Sequence, residues 1–344
     1  MRNTPVGGDV LITGATGFIG RHLVSALLEV GNSVKVLSRG RRDGDPGQLL
    51  RQANVKRVLA DLSEGSSVNG ACTGVDTIFH LAGYAHAEDA DDESAAAAHR
   101  RITIDGTRLL LAEAVRARVK RFIFVSSVKA MGEEGDECLD ESSPPHPETS
   151  YGRSKLEAEQ MILEAGVING FHACALRLPL VYGPGNKGNI PKMIQAIDRG
   201  YFPPIPETGN KRSMVHVADV VQALQLTAAE AAAGKVYIVT DGQPYSTRKI
   251  YLAIRRALGK GLPKWTLPRG MWWAAAHVGD AIARVTGRRM PLDSSVLSKL
   301  FGSAWYSNAA IRGELAFEPR HTLEGALPEM VEEYRKNVIR QLSD

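Results

Sequence analysis

The segment TSYGRSKLEAEQM, residues 149–161, places Tyr151 four positions before Lys155 at the head of a helix-like run. Side chains four apart share a helix face, so the Lys155 ammonium stands near the Tyr151 hydroxyl or near whatever binds beside it. A free phenol titrates around pH 10 and is a poor base at neutral pH, but a neighbouring positive charge favours the phenolate. The pair is therefore a candidate acid/base centre. The same spacing also arises on ordinary exposed helices, so the rest of the chain has to decide.

A second signal lies near the N-terminus, where TGATGFIG follows an apolar strand-like run and leads into a helical pattern. Glycine lets the backbone turn sharply and approach a pyrophosphate, which rests against the positive end of the helix dipole. Gly14, Thr16, Gly17, Phe18, Ile19 and Gly20 are read as a dinucleotide-binding loop on this basis. Where an acidic residue would hold the ribose 2′-hydroxyl of NAD, the chain has Ser38 and Arg39, followed by Arg41 and Arg42. A guanidinium suits a 2′-phosphate, so the expected cofactor is NADP, with NAD as the alternative. Asp61, after the third strand, is placed to meet the adenine amino group.

These groups need a scaffold. Strand-length apolar runs occur at residues 9–13, 33–38, 56–60, 76–82, 121–127, 172–178 and 235–240, and helical patterns at 18–30, 106–118 and 154–165 separate several of them. Strands alternating with helices predict an α/β fold, a Rossmann-type, doubly wound parallel sheet that binds ligands at the carboxyl ends of its strands. At 344 residues the chain exceeds what one core usually supports. The expected division is a dinucleotide-binding domain over 1–180 and a smaller substrate-binding lobe over 181–344, with parts of 211–240 returning to the sheet.

Composition excludes several classes. With 44% hydrophobic and 23% charged residues the chain is globular rather than disordered. Cys72, Cys138 and Cys174 are far apart and form no CxxC pair, which argues against a disulfide framework or a zinc site. A cytoplasmic location is expected, and the N-terminus shows no signal-peptide pattern. The net charge of +4 leaves no nucleic-acid footprint. The apolar segment 271–285 is interrupted by His277, Asp280 and Arg284 and is too short to span a bilayer, so no stable membrane insertion is expected. It reads as an amphipathic helix covering the substrate lobe, with attachment to a membrane surface as the other reading.

TGATGFIG, FHLAG, FVSS and YGRSK in this order resemble the extended short-chain dehydrogenase/reductase family over most of the chain. The resemblance implies that Ser127 hydrogen-bonds the reacting oxygen, Tyr151 exchanges the proton, and Lys155 binds the nicotinamide ribose and lowers the tyrosine pKa. It also implies cofactor contacts from Leu62, from Leu81, Ala82 and Gly83, and from Pro179 beside the nicotinamide. Arg212 corresponds to an arginine that pairs with a nucleotide-sugar phosphate, Asn189 to a position that touches substrate, and the helices near 99–118 and 151–166 to a homodimer interface. Three departures stand out. Thr103 replaces a common asparagine, Val128 and Lys129 replace the Asp-Glu of the sugar dehydratases, and GSAWYSNAAI (302–311) replaces a phosphate-gripping Arg-x-Gly-Asp. The second departure argues against water loss. In the third segment Trp305 or Tyr306 either stacks on a base or is simply packed.

Within that family the chain looks most like UDP-N-acetylhexosamine C4 epimerases and reductases of UDP-4-keto-6-deoxy-N-acetylhexosamines from bacterial surface-polysaccharide pathways. A UDP-linked sugar is the expected partner. If NADP is the cofactor, reduction is the more natural reaction; with retained NAD, epimerisation is. Trp272 and Trp273, with the 271–285 helix, leave open a hydroxysteroid-like or other lipophilic ketone. A non-catalytic NADP sensor is the remote third reading, which the matched Ser127, Tyr151 and Lys155 set argues against.

Overall fold

In the computed structural model the described residues are 6–40, 54–84, 93–132, 135–286, 290 and 292–343. The seven apolar runs become β1 (Val10–Thr13), β2 (Val34–Ser38), β3 (Val55–Leu59), β4 (Thr77–His80), β5 (Arg121–Ser127), β7 (His172–Leu178) and β10 (Lys235–Ile238). All seven pair in parallel in one sheet of order β10-β7-β5-β4-β1-β2-β3. β1, β4 and β7 are buried at every position, as strands covered by helices on both faces must be, whereas β3 at the edge exposes Lys56, Arg57 and Leu59.

Helices α1 (Phe18–Glu29), α2 (Glu93–His99), α3 (Gly106–Arg116) and α4 (Ser150–Asn169) flank the sheet, and a π-helical turn at Arg100–Asp105 joins α2 to α3. One apolar layer packs Leu23, Val24 and Leu27 of α1 under the sheet, and the other packs Leu110, Leu111, Ala158 and Ile162 of α3 and α4 over it. The strand order reverses between β1 and β4, the place where such sheets open a ligand crevice.

A smaller C-terminal lobe completes the fold, with apolar clusters of its own. It contains α5 (Asn189–Asp198), α7 (Thr247–Ala257), α8 (Arg269–Thr286), α9 (Ser294–Phe301) and α11 (Leu323–Ser343), while α6 (Val217–Leu226) and α10 (Ala309–Leu315) return to the sheet. Short parallel pairs stitch the parts together. β6 (Cys138–Leu139) pairs with β11 (Trp305–Tyr306), and β8 (Leu180–Tyr182) with β9 (Met214–His216).

Candidate active site

β4 ends where His80 pairs with Phe124, but β5 runs three residues further, to Ser127 opposite Leu178 of β7. Ser127 therefore stands beyond the rim of β4, buried at 9% exposure, with its Oγ accepting from the Lys129 amide at 3.3 Å. The chain then folds α4 directly onto the turn after Ser127. A Cβ at Gly152 would collide with the Lys129 carbonyl, so only glycine allows that approach. Thr149 caps the helix by accepting from the Gly152 amide at 3.1 Å.

Tyr151 and Lys155 lie on the buried face of this helix, at 9% and 5% exposure. The Lys155 amine donates to the Val125 carbonyl at 3.0 Å and stands 5.9 Å from the Tyr151 ring centre and 4.7 Å from that of Phe124. Two further groups surround the phenol, Lys129, which the sequence marked only as a departure, and His99, which it did not single out. The Lys129 amine is 5.9 Å from the Tyr151 ring centre, and the His99 ring is 5.5 Å away, packed in turn against Tyr84. Thr103 preserves a polar atom in the position of the missing asparagine. Its hydroxyl accepts from the Tyr84 amide at 3.4 Å, and a Cβ at Gly83 would lie 3.7 Å from that hydroxyl and 3.2 Å from the Lys155 amine.

The glycine loop has the shape of a pyrophosphate cradle. Gly14 adopts φ +70°, and a side chain there would stand 2.8 Å from the Ala82 amide nitrogen, so the loop presses against the Leu81–Ala82–Gly83 segment after β4. A Cβ at Gly20 would overlap the Gly14 carbonyl. Gly17 is the N-cap of α1 and brings no side-chain cap, which leaves the helix N-terminus open to an anion beside Thr16, Phe18 and Ile19.

Beneath the loop runs a buried polar chain. Thr13 Oγ1 lies 2.6 Å from His80 Nδ1 and accepts from the Ala82 amide at 3.1 Å, and His80 Nε2 lies 2.9 Å from Thr107 Oγ1. Burial, seconded by the Lys155 charge, pushes the His80 imidazole down to about 3. The folded chain therefore refuses a proton that the unfolded chain accepts below pH about 6.5, so stability is lost as pH falls from there toward 3. His80→Gln is expected to remove a slope of about 1.4 kcal/mol per pH unit from that window. Urea unfolding at several pH values checks this, and identical slopes in the two proteins would refute it.

The remaining sequence candidates are placed as follows. Asp61 Oδ1 accepts from the amide and hydroxyl of Ser63 at 3.0 and 2.7 Å, and Leu62 is buried against Gly106. Pro179 joins β7 to β8, and Asn189 opens α5, exposed. The Arg212 Nη1 donates to the carbonyls of Lys299 and Gly302 at 2.8 and 3.3 Å, which ties it to the C-terminal end of α9. Tyr306 is packed, its hydroxyl donating to the Gly132 carbonyl at 2.7 Å, and the Trp305 ring lies 4.1 Å under the Lys211 amine.

Residues 10–240 match the NAD dependent epimerase/dehydratase family. The chain belongs to that family. It is accordingly an enzyme of the oxidoreductase and isomerase kind. It is 29% identical over 323 residues to a UDP-glucose 4-epimerase of Vibrio cholerae, covering 92% of each chain. It is also 29% identical over 322 residues to a 4-hydroxy-2-methyl-3-oxo-4-farnesyl-3,4-dihydroquinoline-1-oxide ketoreductase of Stigmatella aurantiaca, covering 92% of this chain and 93% of the other. Among solved structures, MoeE5 in complex with UDP-glucose and NAD superposes with a TM-score of 0.69 at 26% identity, covering 96% of this chain and all of the other.

The NADP expectation is corrected by these relatives. MoeE5 holds NAD, as do a Thermus thermophilus UDP-glucose 4-epimerase and a Streptomyces venezuelae dTDP-glucose 4,6-dehydratase of the same fold. A missing carboxylate and nearby arginines did not identify a 2′-phosphate site, because charge in a loop does not fix where a guanidinium points. Ser38, only 3% exposed, is spent within the chain, its Oγ accepting from the Gly40 amide at 3.1 Å and from Arg57 Nη2 at 3.3 Å. Arg39 is already engaged by other groups, and Arg41 and Arg42 lie outside the described residues.

Proposed function

We propose that the chain uses NAD to invert or reduce C4 of a UDP-linked hexose or N-acetylhexosamine, and that C4 epimerisation is its main reaction. The observation that supports this best is Tyr151 and Lys155 buried together on one face of α4, a helix whose first turn packs on the turn that follows Ser127. NAD, when bound, supplies the hydride acceptor and donor. Gly14, Gly17 and Gly20, with the open N-terminus of α1, would hold its pyrophosphate, and the absence of a Cβ at these glycines fits that group.

In this reading Tyr151 takes the proton from the C4 hydroxyl and returns it, Ser127 donates a hydrogen bond to the same oxygen, and the Lys155 ammonium favours the phenolate. Val128 and Lys129 supply no carboxylate for elimination of water, and a dehydratase would need one. Arg212 and Asn189 are proposed as substrate contacts, the first for a phosphate, and the assembly as a homodimer.

The test is a stoichiometry. UDP-N-acetylglucosamine and UDP-glucose, each incubated with the protein and no added cofactor, should show inversion at C4 by NMR with no net dinucleotide consumed. One NADH oxidised per C4 alcohol formed from a 4-keto-6-deoxy sugar would instead make reduction the main reaction. A second reading, reduction of a lipophilic ketone, draws on the Stigmatella ketoreductase and on a Mycolicibacterium neoaurum 3-beta-hydroxysteroid dehydrogenase at 26% identity. Turnover of a steroid ketone with NADH, and silence with both UDP-sugars, would replace the first reading with the second.

A further inference from the structure

Helix α8 presents three distinct sides. Trp272, Ala276 and Gly279 face inward, where Trp272 meets Phe301 of α9 edge-on at 6.0 Å and Gly279 lets the Leu292 carbonyl come close. Met271, Ala274, Val278, Ile282 and Val285 are all exposed, and their spacing puts them on one stripe. Four of these are large apolar residues left open to solvent, Val285 at 87%, Val278 at 59%, Met271 at 56% and Ile282 at 40%. No charged residue falls on the stripe. His277 and Arg284 flank the stripe, whereas Arg269 and Asp280 lie across the helix from it, Arg269 over the Phe301 ring.

A surface helix normally shows water its polar face, so an apolar stripe turned outward marks a contact surface. The charge around it indicates the occupant. From Lys260 to Met290 the sequence has six Lys and Arg against one Asp, a net +5 in a chain whose total is only +4. Arg288 and Arg289 contribute two of those charges and lie outside the described residues, and Lys260 is offset by an ion pair to Asp198 at 3.1 Å, which leaves Lys264, Arg269 and Arg284 as the exposed cations in place. The loop before α8 adds two more exposed apolar groups, Trp265 at 60% and Leu262 at 48%. Apolar anchors, an exposed tryptophan and a cationic rim are what an anionic lipid surface selects. A second copy of the same face would instead oppose like charges. Among the described residues no helix is long and apolar enough to cross a membrane, so the contact is one that lies on the bilayer.

We infer that α8 docks the chain on an anionic lipid surface, its apolar stripe in the headgroup boundary, with Arg284 on its flank and Lys264 beside Trp265 against lipid phosphates. Such docking brings the substrate lobe to the membrane by its α8–α9 side, the side on which Arg212 binds the end of α9. The inference does not depend on which alcohol or ketone is turned over.

The full chain, sedimented with vesicles, tests it. Binding to phosphatidylcholine vesicles containing about 30% phosphatidylglycerol is expected to exceed binding to pure phosphatidylcholine by about tenfold and to fall at high salt. The double variant Val278→Asp/Ile282→Asp, at positions already exposed, is expected to lose about tenfold of that binding while keeping the wild-type circular dichroism and Tm. Lys264→Glu/Arg284→Glu should lose the preference for anionic vesicles. The inference is overturned by equal binding to both vesicle types, by undiminished binding of the aspartate variant, or by loss of self-association in that variant with no vesicle binding in either protein. The last result would make the stripe a contact between copies.

Discussion

Tyr151→Phe is expected to lower kcat by about 10²–10⁴-fold, the usual contribution of a positioned acid/base group, with KM for the UDP-sugar changed far less. The substitution removes one oxygen and keeps the ring. That ring is the part that packs, between His99 at 5.5 Å and the amines of Lys129 and Lys155 at 5.9 Å each, so the helix face stays filled. NAD retention should therefore match wild type, which separates lost chemistry from lost binding. Lys155→Met serves as the contrast. It removes both the charge beside the phenol and the donor to the Val125 carbonyl at 3.0 Å, so it should disturb cofactor retention as well as kcat. Unaltered turnover in Tyr151→Phe would sink the acid/base assignment whatever the substrate proves to be.

Much of the scaffold could be read because its signals are local. The strands of a parallel sheet covered on both faces appear as unbroken apolar runs, and VLIT, TIFH and HACALRL each did. The spacing of Tyr151 and Lys155 and the Gly14, Gly17 and Gly20 loop are local too. What escaped depends on contacts distant in sequence. His80 looks like one more strand residue in FHLAG, yet its two nitrogens meet Thr13 and Thr107, 67 and 27 positions away. Arg212 has a guanidinium suited to phosphate, but its tie to the end of α9 spans 87 positions. The two-residue pair β6–β11 carries no propensity signal, since packing alone creates it. The cofactor error had a different origin. A missing carboxylate beside Arg39 is an absence, and an absence constrains a ligand less than a contact does.

Glu159→Ala is expected to destabilise the fold by about 3–5 kcal/mol, the cost of leaving a buried charge without its partner. Glu159 and Arg177 form a two-pronged pair, Nε to Oε2 at 3.1 Å and Nη2 to Oε1 at 2.5 Å, with residue exposures of 2% and 5%. A guanidinium does not shed its proton to escape the mismatch. Glu141, an acid that feels the Arg177 charge, is already accepting from the Ile238 amide at 2.7 Å. The pair also lies in line with the proposed acid/base residues. Tyr151, Lys155 and Glu159 recur every four residues along α4, and Arg177 lies in β7 opposite Ser126. The ion pair thus fastens the helix stripe that carries the proposed acid/base residues to β7, the strand next to the end of β5 that carries Ser127. Replacing both partners with apolar residues, as in Glu159→Leu/Arg177→Met, should recover most of the stability because no charge is then stranded. If orientation of α4 is the pair's second effect, the double variant will be stable yet slower than wild type. Urea unfolding and kcat on the three proteins separate these effects, and a cost below about 1 kcal/mol for Glu159→Ala would show that the pair does not hold the helix.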